Sequence, residues 1–225
     1  MATTPDPVET MFAPFALRIT CGPLTMRAMR DHDVPAMAAA VREHGIYDDG
    51  RPMPFLDPWP ERLGEHGLAT AQFYWQAYGS WSPDRWRLPL RVEHDGELVG
   101  VQDLVARSPF HRTRSLATGS WLLRPHQWRG IGTLMRQAVC AFTIDELGAQ
   151  EMHSAALSGN GRSLGVSRRV GYRPNGVARV VTATGEVREE QRVRLVPDDL
   201  VRPPHPVVAT GVDAFVASIT PQEPA

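Results

Sequence analysis

Six residues, Gln127-Trp128-Arg129-Gly130-Ile131-Gly132, join a strand-like run at 116–123 to a strongly amphipathic helix. Glycines at Gly130 and Gly132 let the backbone turn tightly and come close to a ligand where a Cβ would stand in the way. The helix that follows offers unpaired N–H groups and the positive end of its dipole, which together suit a phosphate. Two other phosphate loops are excluded by what comes next. Residues 133–135 supply no third glycine for a dinucleotide fingerprint, and no Gly-Lys-Ser/Thr run is present for a nucleotide-hydrolase loop.

The helix itself is legible from spacing. Ile131, Leu134, Met135, Ala138, Val139 and Phe142 recur at helical intervals, with Arg136, Gln137, Asp145 and Glu146 on the other face and Gly148 as the stop. A strand is predicted over 151–157. Asn160 then caps a second helix whose Leu164, Val166 and Val170 point inward and which Gly171 ends. Upstream, 24–29 reads as a strand, 33–43 as a helix capped by Asp33, and 61–81 as a helical stretch placing Phe73, Trp75 and Tyr78 mostly in the core. Pro52, Pro54, Pro58 and Pro60 make 48–60 a shaped loop. Asp95-Gly96 and Thr184-Gly185 each read as the turn of a β-hairpin, joining 88–94 to 97–105 and 177–182 to 187–196. The fold class expected is α+β with α/β-type layers: one central, twisted, mixed and mostly antiparallel sheet flanked by helices. The domain would run over 15–200, preceded by a loose tail at 1–14 and followed by a proline-rich extension at 201–225 in which 212–219 docks.

Composition narrows the function classes. A chain of 225 residues fits one domain. A net charge of −1 gives no reason to expect nucleic acid, no apolar run approaches membrane length, and a soluble cytoplasmic protein is the expectation. Cys21 and Cys140 are isolated thiols, and the histidines lack ligand spacing, so no metal is expected. All 24 basic residues are arginine. Arginine-favouring codon usage explains this. So does a lysine acyltransferase that cannot modify itself, because arginine stays protonated and is a poor nucleophile.

The pattern Gln127-x-x-Gly130-x-Gly132 resembles the pyrophosphate loop of the GNAT superfamily of acyl-CoA-dependent N-acyltransferases. The second helix is similar to that superfamily's further signature, reading Asn160, Ser163, Val166, Gly171 and Tyr172. Thr118-Gly119-Ser120-Trp121-Leu122, His126-Gln127, the run from Gly132 to Arg136 and Val166-Ser167-Arg168-Arg169 look like a RimJ/RimL-like actinobacterial branch, one that includes a mycobacterial succinyl-CoA-dependent succinyltransferase. Met53-Pro54-Phe55, Pro58-Trp59, Leu88-Pro89-Leu90 and Val99-Gly100-Val101-Gln102 extend the likeness upstream.

The resemblance implies acetyl-CoA or succinyl-CoA as donor and an amine of a small molecule or peptide as acceptor, with a homo-oligomer possible. Gln127, Trp128, Arg129, Gly130, Ile131, Gly132 and Thr133 would hold the pyrophosphate. Trp121, Leu122 and Leu123 would line the pantetheine, Asn160 would bond it, and Ser163 would reach the departing sulfur. Two departures from the family stand out. The position that often carries a tyrosine acid is Ser167, and the position of a frequent glutamate base is Ala117. Asp103, His111, His126, His153 or water are the alternatives for the base, with Asp103 and His111 put forward. Met53, Phe55, Trp59 and Arg51 would face the acceptor, and Arg51, Arg107 and Arg112 are candidates for pairing a succinyl carboxylate. The competing expectation, resting on Ala117, is a degenerate member that binds acyl-CoA as a sensor or assembly subunit.

Overall fold

A computed structural model describes residues 6–47, 53–62 and 67–221. Nine strands form one sheet: β1 (Arg18–Cys21), β2 (Leu24–Ala28), β3 (Trp86–His94), β4 (Glu97–Ala106), β5 (Ser115–Leu122), β6 (Glu151–Leu157), β7 (Arg173–Val181), β8 (Val187–Leu195) and β9 (Val207–Thr210). Seven α-helical segments accompany them: α1 (Pro7–Met11), α2 (Val34–His44), α3 (Leu68–Gly79), α4 (Phe110–Thr113), α5 (Ile131–Asp145), α6 (Gly161–Val170) and α7 (Val212–Ser218). The strand order is β7-β8-β6-β5-β4-β3-β2-β1-β9. Every neighbouring pair is antiparallel except β5 and β6. The expected mixed, mostly antiparallel α+β sheet is what forms.

The β3–β4 hairpin turns where Asp95-Gly96 predicts, with φ of 52° and 81° at the two residues. Positive φ at both central positions is the type I′ geometry that suits the right-handed twist of the strands. The second hairpin differs. Thr182 and Glu186 still pair, so the loop proper is three residues long, with Gly185 alone at positive φ. β1 was not anticipated, being too short for an alternation of Ile19 and Cys21 to stand out. It pairs with β2 across the Gly22-Pro23 turn.

Several expected placements are overturned. Phe73 and Trp75 are exposed, at 44% and 51%, while Thr70, Ala71, Tyr74 and Ala77 form the buried stripe of α3. The helical repeat is therefore carried by Tyr74 with three small residues, and Phe73 and Trp75 lie beside it. Arg136 and Gln137 are buried, because α5 packs on β5, α6, β1 and β9 and keeps little free face. Residues 6–16 are no loose tail: Glu9 pairs with Arg18 and Arg30, and Phe12 and Phe15 pack edge-to-face on Tyr78. The stretch at 201–221 adds β9 to the sheet, which was not expected, while its 212–219 segment docks as expected, as α7 with Phe215 fully buried against Trp81 and Trp86. Asp33 sits at the start of α2 but makes no side-chain cap there. Its carboxylate instead accepts two bonds from Arg27 and one from Arg91, all at 2.7 Å. Among the described residues, no helix is long and apolar enough to cross a membrane, and no group of three or more His, Cys, Asp and Glu stands ready for a metal.

Candidate functional site

Between the end of β5 and the start of α5 the chain makes a 3-10 turn at Arg124–His126 and then opens. The Gln127 amide is already bonded to the Arg124 carbonyl, and Thr133 N–H to that of Gly130. Between them, the five amides from Trp128 to Gly132 find no acceptor among the described residues. Trp128 and Gly130 both take positive φ, 65° and 82°. A Cβ on Gly130 would meet nothing within 4 Å, so glycine is there for the left-handed turn and for the bare approach it leaves. Gly132 serves packing, because its missing Cβ would lie 3.4 Å from Leu122 and 3.7 Å from Val166. Gln127 is a brace. Its Nε2 donates to the carbonyls of Ile46 and Leu122, and its Oε1 accepts from Arg162. The Arg162 guanidinium lies over the exposed Trp128 ring, 5.0 Å from its centroid. A depression of about 500 Å³, lined by Glu43, His44, Arg124, Pro125, Gln127 and Trp128, flanks the loop.

The loop opens beside a gap in the sheet. β5 and β6 pair only through Ser115↔Glu151, Leu116↔Met152 and Ala117↔His153, whereas β5 stays paired with β4 to Leu122 and β6 with β8 to Leu157. Past Ala117 the two parallel strands part as a wedge. The Thr118 carbonyl faces β6, accepting from the Ser154 hydroxyl. Strand alternation therefore turns Ser120 and Leu122 to the same edge. Trp121 and Leu123 are turned the other way: Leu123 N–H donates to the Val99 carbonyl, and the Trp121 carbonyl crowds Gly100 on β4. Of the three residues expected to line the wedge by their backbone, only Leu122 does so. Ser120, unremarked in the sequence, joins it.

A strand that parts from its parallel neighbour at a glycine turn opening a helix is the arrangement expected from the two sequence signatures. The family model described as an acetyltransferase (GNAT) domain matches residues 23–173. The chain belongs to the GNAT acetyltransferase family. Its fold is shared by RimJ of Mycobacterium smegmatis in complex with a CoA disulfide, at TM-score 0.65 and 18% identity over 91% of this chain and 94% of that one. It is shared also by RimL, the ribosomal L7/L12 alpha-N-protein acetyltransferase in complex with CoA, at 0.64 and 17% over 79% and 96%. The microcin C7 self-immunity acetyltransferase MccE, in complex with acetyl-CoA and AMP, matches at 0.61 and 14% over 77% and 92%.

In this GNAT domain α6 borders the wedge. The Asn160 side chain accepts from Ser163 N–H at 3.1 Å, an N-cap in fact, with its amide Nδ2 left over. The Ser163 carbonyl accepts from the Ser167 hydroxyl at 3.1 Å. Ser167 is buried and faces inward, whereas Ser163 is half-buried.

On the opposite face of the sheet, Asp103 on β4 stands directly across from Gly119, and His153 on β6 across from Ala117. The bare Cα and small methyl at these positions leave Asp103 and His153 as the polar side chains beside Gly119 and Ala117, with Glu151 further back across from Ser115. Burial raises the Asp103 carboxyl to about 6, against the opposing pull of Arg87, whose Nη1 donates to Oδ2 at 2.7 Å. Oδ1 is buried without a partner. His153 is one of the alternatives for the base in the sequence, and its register beside Ala117 is what brings it to this face. Its Nε2 lies 3.2 Å from Glu151 Oε2.

His111 lies beyond the end of β4, its Nδ1 4.0 Å from Asp84 Oδ1, and the structure does not join it to Asp103. His126 is buried behind the hairpin near Glu97, its pKa lowered by that burial. Phe55, Trp59 and Trp121 form a tilted aromatic row with centroids 6.0 and 5.4 Å apart. The tip of the β7–β8 hairpin bonds this loop through Ala183 N–H and the Leu56 carbonyl. Met53 is half-buried in the same loop; Arg51 lies outside the described residues. Arg107 and Arg112 are exposed.

Proposed function

We propose that this protein is an acyl-CoA-dependent N-acyltransferase that moves an acetyl group directly from CoA to a primary amine of a small metabolite or a protein. The observation that carries the reading is the conjunction at the start of α5, where five open amides stand beside the point at which β5 and β6 part. Trp128 to Gly132 fit a pyrophosphate, since N–H groups at a helix N-terminus bind anions without further charge. The Ser120 and Leu122 backbone fits an amide-bearing arm laid along the open strand edge. An N–H on that edge polarises the thioester carbonyl. Asn160 Nδ2 bonds the arm, and the Ser163 hydroxyl reaches the sulfur.

The acceptor enters from the other face, over the row of Phe55, Trp59 and Trp121 with Met53. An ammonium must lose a proton before its nitrogen can attack, and the Asp103 carboxyl, raised by burial to about 6, is deprotonated at neutral pH and lies across from Gly119 within the same face. His153 is the second candidate on that face. RimL names a protein amine and MccE a small-molecule setting, and both acceptor classes suit the open aromatic row. Acetyl is preferred to succinyl because it is the commoner donor in the family, and because Arg107 and Arg112 are exposed to solvent.

The test is release of free thiol from acetyl-CoA and from succinyl-CoA across a panel of primary amines. Amine-dependent release from acetyl-CoA supports the reading. Tight CoA binding with no release from any amine would favour the sensor that Ala117 raises.

A further inference from the structure

Arg136 extends from α5 into the interior and is 2% exposed. Its Nη2 donates to Ser120 Oγ on β5 at 2.5 Å. Its Nη1 donates to Ser167 Oγ on α6 at 3.0 Å and reaches Ser154 Oγ on β6 at 3.5 Å. Ser154 follows the last paired residue of β6 and Ser120 lies three residues beyond that of β5, so the guanidinium spans the wedge between the two strands. Its Nε has no acceptor.

Three hydroxyls accept from Nη1 and Nη2 but bring no negative charge, and Nε stays unmet. Among the described residues Arg136 takes part in no ion pair with a carboxylate. The titratable groups facing it are the Cys140 thiol from α5 and the Tyr172 phenol after α6. Burial pushes the first up to about 11 and the second well above its ordinary value, so both are neutral. From β5, β6 and α6 the groups turned toward it are Ser120, Ser154 and Ser167. A buried guanidinium without a counter-ion is costly, and arginine does not shed its proton to escape the cost. Such a site is built for an anion that arrives.

We propose that Arg136 is a catalytic residue: the fixed cation that receives the CoA thiolate, directly and through the Ser167 hydroxyl. This rests on the wedge being the thioester site. In the transfer the amine nitrogen bonds to the acyl carbon and the C–S bond breaks, its electron pair leaving on sulfur. The amine's surplus proton passes to the base on the opposite face, and the sulfur regains a proton from water as CoA departs. A serine replaces tyrosine at position 167, and a lone serine hydroxyl is a poor acid. The guanidinium lowers the need for one by holding the charge instead.

The test is a pH titration of the thiolate absorbance of CoA bound to the full protein. Bound CoA is expected to titrate about 1 to 3 pH units below free CoA, the displacement an adjacent opposite charge produces. Arg136→Met should return it to the free value or above, and Arg136→Lys should keep part of the displacement. Ser167→Ala, which keeps the cation, should raise it only partly. Should Arg136→Met fail to fold by circular dichroism, the lysine and alanine variants carry the comparison. Bound CoA that titrates like free CoA, or an undiminished displacement in the Arg136 variants, overturns the proposal while leaving the loop assignment standing. Absence of CoA binding by calorimetry overturns both.

Discussion

At the scale of single residues the site separates binding from chemistry. Ser163 has no backbone duty for its hydroxyl, its amide being held by Asn160 and its carbonyl by Ser167. Ser163→Ala should therefore lower turnover about 10 to 100-fold, the modest end for one hydrogen bond to the charge developing on sulfur, with CoA affinity little changed. Steady-state kinetics beside a CoA titration decide it; lower affinity with unchanged turnover would make Ser163 a binding residue only. Asp103 gives a pH prediction whose sign follows from its raised pKa. Below about 6 the carboxyl is protonated and cannot accept a proton, and above it the base is available. The rate per bound acceptor should rise through pH 6, and Asp103→Asn should flatten that limb. A limb unmoved in the variant would transfer the role to His153 or to water. Gly130 was readable in advance because a glycine turn before a helix has a stated steric purpose. Arg136 was not, because helical spacing alone put it on the polar face, and only the covering of α5 from several sides buries it.

Elements bear the load between these residues. The helix starts and stops of α5 and α6, strand β6 and the Asp95-Gly96 hairpin were legible, because capping and turn chemistry act within a few residues. The apolar stripe of α5 was legible as well, but not the buried face of α3 or the burial of Arg136 and Gln137, since what covers a helix is decided by distant chain. Asp33 shows the same limit. It looks like a helix cap, yet it is 1% exposed and clamps Arg27 on β2 and Arg91 on β3. Burial alone would raise its pKa, but bonds from Arg27, the Arg30 amide and Arg91 outweigh that and hold it at about 2. Its folded pKa lies below the unfolded value of about 3.9, so this stability is present above that pH and is lost as pH falls through 2. Asp33→Ala should cost about 2–4 kcal/mol in urea unfolding at pH 7, discounted from a fully buried pair because both arginines keep some solvent. A loss under 0.5 kcal/mol would mean the cluster is solvated and idle.

At the scale of the whole molecule, the parallel contact between β5 and β6 is the one interruption in an antiparallel sheet, and the helix opened by the glycine turn sits beside it. The residues themselves announced the loop and the two strands, while their parting was implied only by the family signatures, because it depends on β6 being held by β8 from the far side. Beyond residue 200 a docking segment at 212–219 was legible, but not that residues 207–210 complete the sheet or that Phe215 packs on Trp81 and Trp86. Phe215→Ala should cost about 3–5 kcal/mol, as for a fully buried aromatic, without touching the wedge. Unfolding midpoints alongside CoA affinity at a temperature where the variant is folded would show the separation. The account as a whole stands on the open amides at the start of α5. Calorimetric titration of CoA into the wild type and into Gly130→Val tests it most directly. The valine has space for its Cβ but fills the approach to the amides and strains the turn, at a cost of about 1–2 kcal/mol. The account predicts measurable CoA binding in the wild type and none detectable in a variant that circular dichroism shows folded; equal affinity in the two proteins would contradict it.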